Sequence, residues 1–374
     1  MNYDDLKKII ESCHLNFLIG SGASRPFLGT LGTIETMLTE LAQKDDSDTK
    51  KIVEASIKKH YFDIAIKGNL DLSTATSSKF KNTKSNYNEF LNALNTILIK
   101  RKSNLVSKQV NLFTTNMDLF LETSSEELGI NYNDGFSGRI NPKFGTENFH
   151  NSIRKTSTHY EYQSEIPLFN IFKLHGSLNW LQNTDTIVYD SNLSTLNEID
   201  GIMSRKGDFI EIEKDNGSGV WSTKTIDELY AEVDKSGLKF KLRHNRFIKA
   251  YSKLVMINPT KDKFETTTRN LMFYELLRMY SNHLERENSI LFVFGFSFAD
   301  EHITEITKRV ASANPTLLIY IFAFDKESID FISSQLPTKS NIRIIGDETS
   351  AKKYSLEVIN NECFKELAKE LKDN

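Results

Sequence analysis

Six short apolar runs are spread along the chain, and each ends in glycine or in polar residues. They read LNFLIG, VNLFTTN, NIFKLHG, KLVMINPT, ILFVFGF and TLLIYIFAFD, beginning at residues 15, 110, 170, 253, 290 and 316. Compact, continuously apolar runs are typical of parallel strands that are buried on both faces. Segments with helical spacing separate several of these runs, which predicts an α/β fold with a parallel sheet flanked by helices.

The segments between the runs differ in pattern. Apolar residues recur at helical spacing in residues 4–13, 31–67, 87–102 and 268–286. A polar stretch at 73–88 predicts a loop. Residues 183–245 are rich in Asp, Ser, Lys and Gly, which predicts an irregular insertion of short strands and loops. We therefore predict a single domain over residues 1–374, with a helical region at about 31–110 and a smaller insertion at about 183–245.

Composition narrows the class of protein. Of the 374 residues, 39% are hydrophobic, which is enough for a sizeable core. The net charge of -3 argues against direct nucleic-acid binding through bulk charge. Cys13 and Cys363 are the only cysteines, so the chain cannot build a four-cysteine zinc ribbon, and we predict no metal. The polar N-terminus and the shortness of every apolar run predict a soluble, cytoplasmic protein without a membrane segment.

The first polar motif, GSGASR at residues 20–25, directly follows an apolar run. Glycines let backbone amides approach a phosphate, and the start of a following helix favours an anion. Ser24 is a candidate donor and Arg25 a candidate partner of a phosphate. A tight turn between a strand and a helix explains the same residues equally well.

The second motif, TTNMD at residues 114–118, follows the next run. Asn116 and Asp118 could address a sugar hydroxyl or a carboxamide, while an Asx turn that caps a helix is the simpler interpretation. The third motif places His175 and Gly176 at the end of a run. An imidazole can accept a proton near neutral pH, although a buried histidine of the core is equally compatible with the pattern.

The last two motifs follow the fifth and sixth runs. Gly295 and Ser297 could contact a phosphate or a ribose. Asp300 and Glu301 are predicted to form the first turn of a helix, where acidic side chains suit the helix dipole. Asp325 either binds a ribose or caps a helix. Ligands of open parallel sheets bind at the carboxyl ends of the strands, so we expect all these motifs to converge on one crevice.

Together, in this order, the motifs resemble those of the sirtuin family. The GSGAS loop, TTNMD, His175-Gly176 and GFS at residues 295–297 match its four signature elements. The resemblance implies a Rossmann-like sheet and NAD as the bound molecule. It assigns Asn116 and His175 to catalysis at the nicotinamide ribose and places Asp118 near the carboxamide. The residues that the resemblance implies for NAD binding are Gly20, Ser21, Gly22, Ala23, Ser24, Arg25, Thr115, Asp118, Gly295, Ser297, Phe298 and Asp325.

Two departures from protein-deacylating sirtuins refine this expectation. The zinc ribbon is missing, and FLGTLGTIE at residues 27–35 stands where those enzymes carry an Asp-Phe-Arg element. The chain looks more like bacterial sirtuin-like proteins of antiphage defence, which hydrolyse NAD. Its size resembles members that work beside a HerA-type DNA-translocase ATPase. The resemblance thus implies an NAD hydrolase, a homo-oligomer and such a partner; a deacylase, an ADP-ribosyltransferase and a non-catalytic NAD sensor are the alternatives.

Overall fold

The computed structural model describes residues 3–30, 32–101, 106–159, 161–184, 186–203, 207–215, 221–257 and 271–371. The strands are β1 (His14–Ile19), β2 (Gln109–Thr114), β3 (Tyr132–Asn133), β4 (Phe136–Ser137), β5 (Lys143–Phe144), β6 (Arg154–Thr156), β7 (Gln163–Glu165), β8 (Leu168–Lys173), β9 (Trp180–Asn183), β10 (Thr186–Tyr189), β11 (Glu213–Asp215), β12 (Trp221–Thr223), β13 (Ser289–Phe294), β14 (Leu318–Phe322) and β15 (Ile342–Ile345). The helices are α1 (Tyr3–Ser12), α2 (Ile34–Ala42), α3 (Asp48–Tyr61), α4 (Ser78–Lys100), α5 (Phe120–Glu127), α6 (Ser194–Met203), α7 (Ile226–Ser236), α8 (Leu242–Tyr251), α9 (Leu271–Leu284), α10 (Glu301–Ala313), α11 (Lys326–Gln335), α12 (Leu356–Ile359) and α13 (Lys365–Glu370).

The central sheet has seven strands in the order β15-β14-β13-β1-β2-β8-β3, and every pairing in it is parallel. The chain builds outward from β1 in one direction through β2 and β8, and then in the other direction through β13, β14 and β15. This is the Rossmann-like arrangement, whose topological switch point lies between β1 and β13. The predicted α/β fold with a parallel sheet is confirmed.

Helices cover both faces of the sheet because alternate residues of its strands are apolar on both sides. Phe17, Leu112 and Phe292 face a core shared with α1, α4 and the C-terminal helices. Their neighbours Leu18, Phe113 and Val293 face a second core shared with α9, α10 and α11. Burial on both faces is what a continuously apolar strand requires.

The run at 253–260 was predicted as a strand, and this prediction is wrong for its described part. The amides of Lys253 and Leu254 donate to carbonyls of α8, so the segment begins as a turn. Met256 then forms one isolated bridge with Gly176. The segment thus crosses the carboxyl edge of the sheet instead of joining it. Residues 258–260 lie outside the described residues.

The predicted loop at 73–88 is wrong from Ser78 onward, where α4 begins. The Ser77 hydroxyl accepts the amide of Phe80 and so caps the helix. Phe80, Thr83 and Tyr87 are buried and lie three and four residues apart, which places them on one face of the helix. The polar residues between them form the solvent face that concealed the helical period.

The insertion at 183–245 contains the predicted short strands, but it also contains the helices α6 and α7 and the start of α8, so the prediction of strands and loops alone is wrong. A capping box formed by Thr225 and Glu228 starts α7. Buried residues of the three helices include Leu196, Leu229 and Phe247, which share a third core with α2 and α3. Helices α2, α3, α6, α7 and α8 therefore form one helical layer around a shared core.

Candidate functional site

Three glycines bring the ends of β1 and β13 into contact at the topological switch point. The Gly20 amide donates to Phe294 O (3.1 Å), and the Gly22 amide donates to Gly295 O (2.9 Å). A Cβ on Gly20 would lie 2.3 Å from Gly295 O, and a Cβ on Gly22 would lie 2.8 Å from Gly295 Cα. The glycines are therefore required for the close approach of two backbone loops.

This packing uses amides that the sequence assigned to phosphate. The Ala23 amide donates to Gly20 O (3.0 Å), so Gly20, Gly22 and Ala23 all donate within the protein. Arg25 is exposed at the end of the turn, and Ser21 is half-buried. Phosphate binding by this loop stays a prediction that depends on the side chains of Arg25 and Ser21.

Asn116 lies in the loop after β2 and reaches toward the glycine turn. Its amide nitrogen donates to Gly20 O (3.0 Å) and to Ser24 Oγ (3.3 Å). The carbonyl of Gly20 can only accept, so it fixes the orientation of the side-chain amide. Asn116 Oδ1 is buried and finds no hydrogen-bond partner among the residues that the structure describes. A buried acceptor without a donor is costly, and a hydroxyl group of a ligand would satisfy it.

Ser24 connects the glycine turn after β1 to the loop after β2. Its hydroxyl donates to Asp118 Oδ2 (2.5 Å) and contacts the hydroxyl of Tyr87 (2.9 Å). Asp118 Oδ1 accepts the amide of Phe120 (3.2 Å), so both carboxylate oxygens are engaged. Asp118 is 6% exposed, and burial beside it raises the pKa of Tyr87 well above its ordinary value. The carboxylate thus holds the loops together, and its contact with a carboxamide stays a prediction.

His175 follows β8 in a turn that depends on glycine. Gly176 has φ +85°, and a Cβ there would lie 2.1 Å from Val255 O. The Ile257 amide donates to His175 O (2.9 Å), and the Ser177 amide donates to Val255 O (3.2 Å). Backbone hydrogen bonds to the segment at 255–257 therefore hold the turn in place, and this fixes the position of the His175 backbone from which the imidazole extends.

The imidazole of His175 pairs with Asp300. His175 Nε2 lies 3.1 Å from Asp300 Oδ2, and the two side chains are 15% and 7% exposed. Asp300 Oδ1 caps α10 by accepting the amides of His302 and Ile303. The pair borders a narrow pocket whose remaining lining is largely apolar: Leu174, Ile257, Leu277, His302 and Ile303. One carboxylate therefore starts a helix with one oxygen and lies beside the candidate base with the other.

The other predicted contacts occupy the rim of this edge. Thr115 donates its amide to Ile19 O (3.2 Å). Ser297 is exposed, whereas Phe298 is buried with φ +61° and packs edge-on against Phe296. Asp325 caps α11 through the amide and hydroxyl of Ser328, and these hydrogen bonds lower the pKa of its carboxyl. The cap was one of the two alternatives for Asp325, and its ribose contact stays a prediction.

Sequence reasoning missed Lys173, which is buried at the end of β8. Its ammonium donates to the main-chain oxygens of Asn116 and Asp118 and lies 3.0 Å from Glu122 Oε1. Burial raises the pKa of the Glu122 carboxyl, although the charge of Lys173 opposes this shift. A lysine inside the apolar run NIFKL was the signal. Tyr87 was missed because it lies where the predicted loop at 73–88 overlaps the start of the predicted helix at 87–102.

Comparison with known proteins identifies no family for this chain. No model of a known protein family matches the chain, and no curated protein matches it. Across the described ranges, no helix combines the length and the apolar character needed to cross a bilayer. In the same part of the chain, no three His, Cys, Asp or Glu side chains are grouped so that they could hold a metal ion.

Proposed function

We propose that this chain hydrolyses NAD to nicotinamide and ADP-ribose at the carboxyl edge of the sheet. The observation that carries the proposal is the Oδ1 of Asn116 beside the glycine turn, which is buried and has no hydrogen-bond partner among the described residues. In an open parallel sheet, dinucleotides bind at the switch point, where this turn lies. A ribose hydroxyl donating to Asn116 Oδ1 would complete the hydrogen bonding of this side chain.

Cleavage of the nicotinamide-ribose bond passes through a centre with oxocarbenium character, as in glycoside hydrolysis. The leaving pyridinium is already cationic, so its departure needs no general acid. The protein must instead hold the ribose and direct one water molecule. Asn116 supplies the fixed acceptor for the sugar, and the exposed Arg25 supplies a cation for the pyrophosphate.

His175 is the general base of the proposed reaction. It would accept a proton from the attacking water or from a ribose hydroxyl. Asp300 Oδ2 lies 3.1 Å from Nε2 as an ion-pair contact. In the proposed reaction it would orient the ring, and we assign proton transfer to Nδ1. A base held by a carboxylate follows the general logic of catalytic pairs, in which a third group fixes the base.

We also propose a biological setting, which rests on the resemblance of the motifs to sirtuin-like defence proteins. In that setting the chain forms a homo-oligomer in the cytoplasm, works beside a HerA-type ATPase and depletes NAD during phage infection. The shared helical layer of α2, α3, α6, α7 and α8 is the surface we assign to assembly. Size-exclusion chromatography with light scattering, with and without the ATPase, tests this part separately from catalysis.

The test of the activity is nicotinamide release from NAD, measured for the purified chain alone and with its co-purifying partner. Asn116→Ala and His175→Ala should lose turnover while their circular dichroism stays unchanged. Asn341→Ala and His150→Ala are matched controls, because Asn341 donates to Ala311 O far from the site and His150 is exposed. Full turnover in either site variant contradicts the assignment. Saturable NAD binding without turnover would indicate a sensor, and ADP-ribose attached to an acceptor would indicate a transferase.

A further inference from the structure

We propose that Lys173 and Glu122 form a buried positioning pair that holds the loop carrying Asn116, an inference that rests on the proposed function. Neither side chain is among the residues that line the pocket beside His175. Lys173 holds the loop through its main-chain oxygens, and Glu122 pairs with Lys173. Both are therefore positioning residues rather than catalytic ones.

The contacts of Lys173 define this role. Its side chain is 1% exposed, and its ammonium donates to the main-chain oxygens of Asn116 (3.4 Å) and Asp118. These two carbonyls lie on either side of Met117, so one cation fixes two peptide planes of the loop. The side-chain amide of Asn116 also donates a hydrogen bond to Gly20 O. Asn116 is therefore fixed from both ends.

The carboxylate of Glu122 compensates the buried positive charge of Lys173. It lies in the first turn of α5, its side chain is 6% exposed, and its Oε1 is 3.0 Å from the ammonium. Removing one partner of a buried pair leaves an uncompensated charge, which is strongly destabilising. Replacing both partners by apolar residues of similar size is often neutral for stability. Such a double replacement would still leave the two loop carbonyls without their donor.

This difference separates positioning from general stability. In the Lys173→Met/Glu122→Met double variant we expect a folded protein with cooperative unfolding close to that of the wild type. Without the ammonium, the peptide at 114–120 should exchange its amide hydrogens about tenfold faster, because local opening becomes easier. Turnover of NAD should fall about tenfold or more through kcat, since a displaced Asn116 weakens transition-state contacts above all.

Arg101→Met is the matched control. Arg101 is also a buried cation that donates to main-chain oxygens, those of Ile10, Cys13 and Ser107, but it lies at the amino edge of the sheet. Its loss should lower overall stability and leave exchange at 114–120 unchanged relative to the rest of the protein. The comparison therefore removes the general effect of deleting a buried cation.

The exchange measurement keeps the two proposals distinguishable. Faster exchange confined to 114–120 in the double variant supports the positioning pair even if the wild type releases no nicotinamide. Unchanged exchange there overturns it, whatever the turnover. An equal increase in Arg101→Met also overturns it, since the effect would then be general. If the wild type does turn over NAD, an unchanged kcat together with faster local exchange would show that this pair does not hold Asn116 in the reacting state, which likewise overturns the inference.

Discussion

His175 Nε2 lies 3.1 Å from Asp300 Oδ2, although the strands that precede the two residues are not neighbours. In the sheet, β2 and β1 separate β8 from β13. Three strand spacings amount to roughly 14 Å, so the loops after β8 and β13 must bend toward each other across the carboxyl edge. The pair therefore joins loops from the two halves of the sheet.

Asp300 caps α10 through Oδ1 and contacts His175 through Oδ2, so the two roles can be tested separately. Asp300→Ser keeps a good helix cap but is too short to reach the imidazole, so stability should change by about 1 kcal/mol or less. Turnover should fall roughly tenfold to a hundredfold because the base is no longer oriented. Asp300→Asn keeps the shape and should lose less. Nicotinamide release and thermal unfolding measure both effects, and full turnover in Asp300→Ser would refute the role in orientation.

The glycine contact between β1 and β13 makes a stability prediction. In Gly20→Ala, the new Cβ would meet Gly295 O, which is backbone and cannot move aside easily. We expect a loss of about 3 kcal/mol or more in the free energy of unfolding, as for severe overpacking. Urea unfolding is the measurement.

Gly201→Ala is the matched control for this substitution. Gly201 lies within α6, and a Cβ there meets nothing within 4 Å. Because alanine loses less conformational freedom in a helix, the control should gain about 0.5–1 kcal/mol. If Gly20→Ala unfolds at the same urea concentration as the wild type, the two loops do not need the glycine.

The sheet was predictable because its strands are buried on both faces and read as continuous apolar runs. Five of the six runs became strands of the sheet. The run at 253–260 misled the prediction because periodicity cannot separate a strand from a buried crossing segment. Met256 and Ile257 of this run are buried against the His175 turn. Their burial requires apolar side chains, although the segment forms no ladder of β-sheet hydrogen bonds with the described strands. The helix at 78–100 was half concealed because its first turns bury only one narrow face.

The candidate site was predictable only as a set of strand ends. Their order along the chain and the rule for parallel sheets placed them at one edge. Which side chain meets which depends on loop geometry, and no spacing in the sequence reveals it. Asp300 was therefore predicted as a residue of the helix start, which it is, without its contact to His175. For the same reason, the sequence did not reveal that Ser24 and Phe120 donate hydrogen bonds to Asp118.

Ser24 and Tyr87 should differ in their importance although their hydroxyls touch. Ser24→Ala removes the hydrogen bond to the buried Asp118 carboxylate, which should cost about 2–3 kcal/mol because the acceptor is charged. Tyr87→Phe removes one neutral contact and keeps the ring stacked on Phe120 at 5.1 Å, so it should cost about 1 kcal/mol. Chemical denaturation compares them, and an equal loss would show that Asp118 does not depend on Ser24.

His283 should make the protein sensitive to acid. It is buried behind β2, where its Nδ1 lies 3.0 Å from the side-chain amide of Asn111. Burial, aided by the positive charge of Arg286, lowers the pKa of His283 to about 3. The unfolded chain then binds the proton more readily than the folded chain, so stability falls as the pH drops below about 6.5 and continues to fall toward 3.

This single group should account for about 2 kcal/mol of the stability lost between pH 7.5 and pH 5. His283→Gln keeps an acceptor for Asn111 but cannot take up the proton, so that part of the loss should vanish. His159→Gln, at an exposed histidine, should leave the pH dependence unchanged. Urea unfolding at both pH values decides the matter. If the difference in stability between His283→Gln and the wild type is the same at pH 7.5 and pH 5, the buried imidazole is not what makes the fold sensitive to acid.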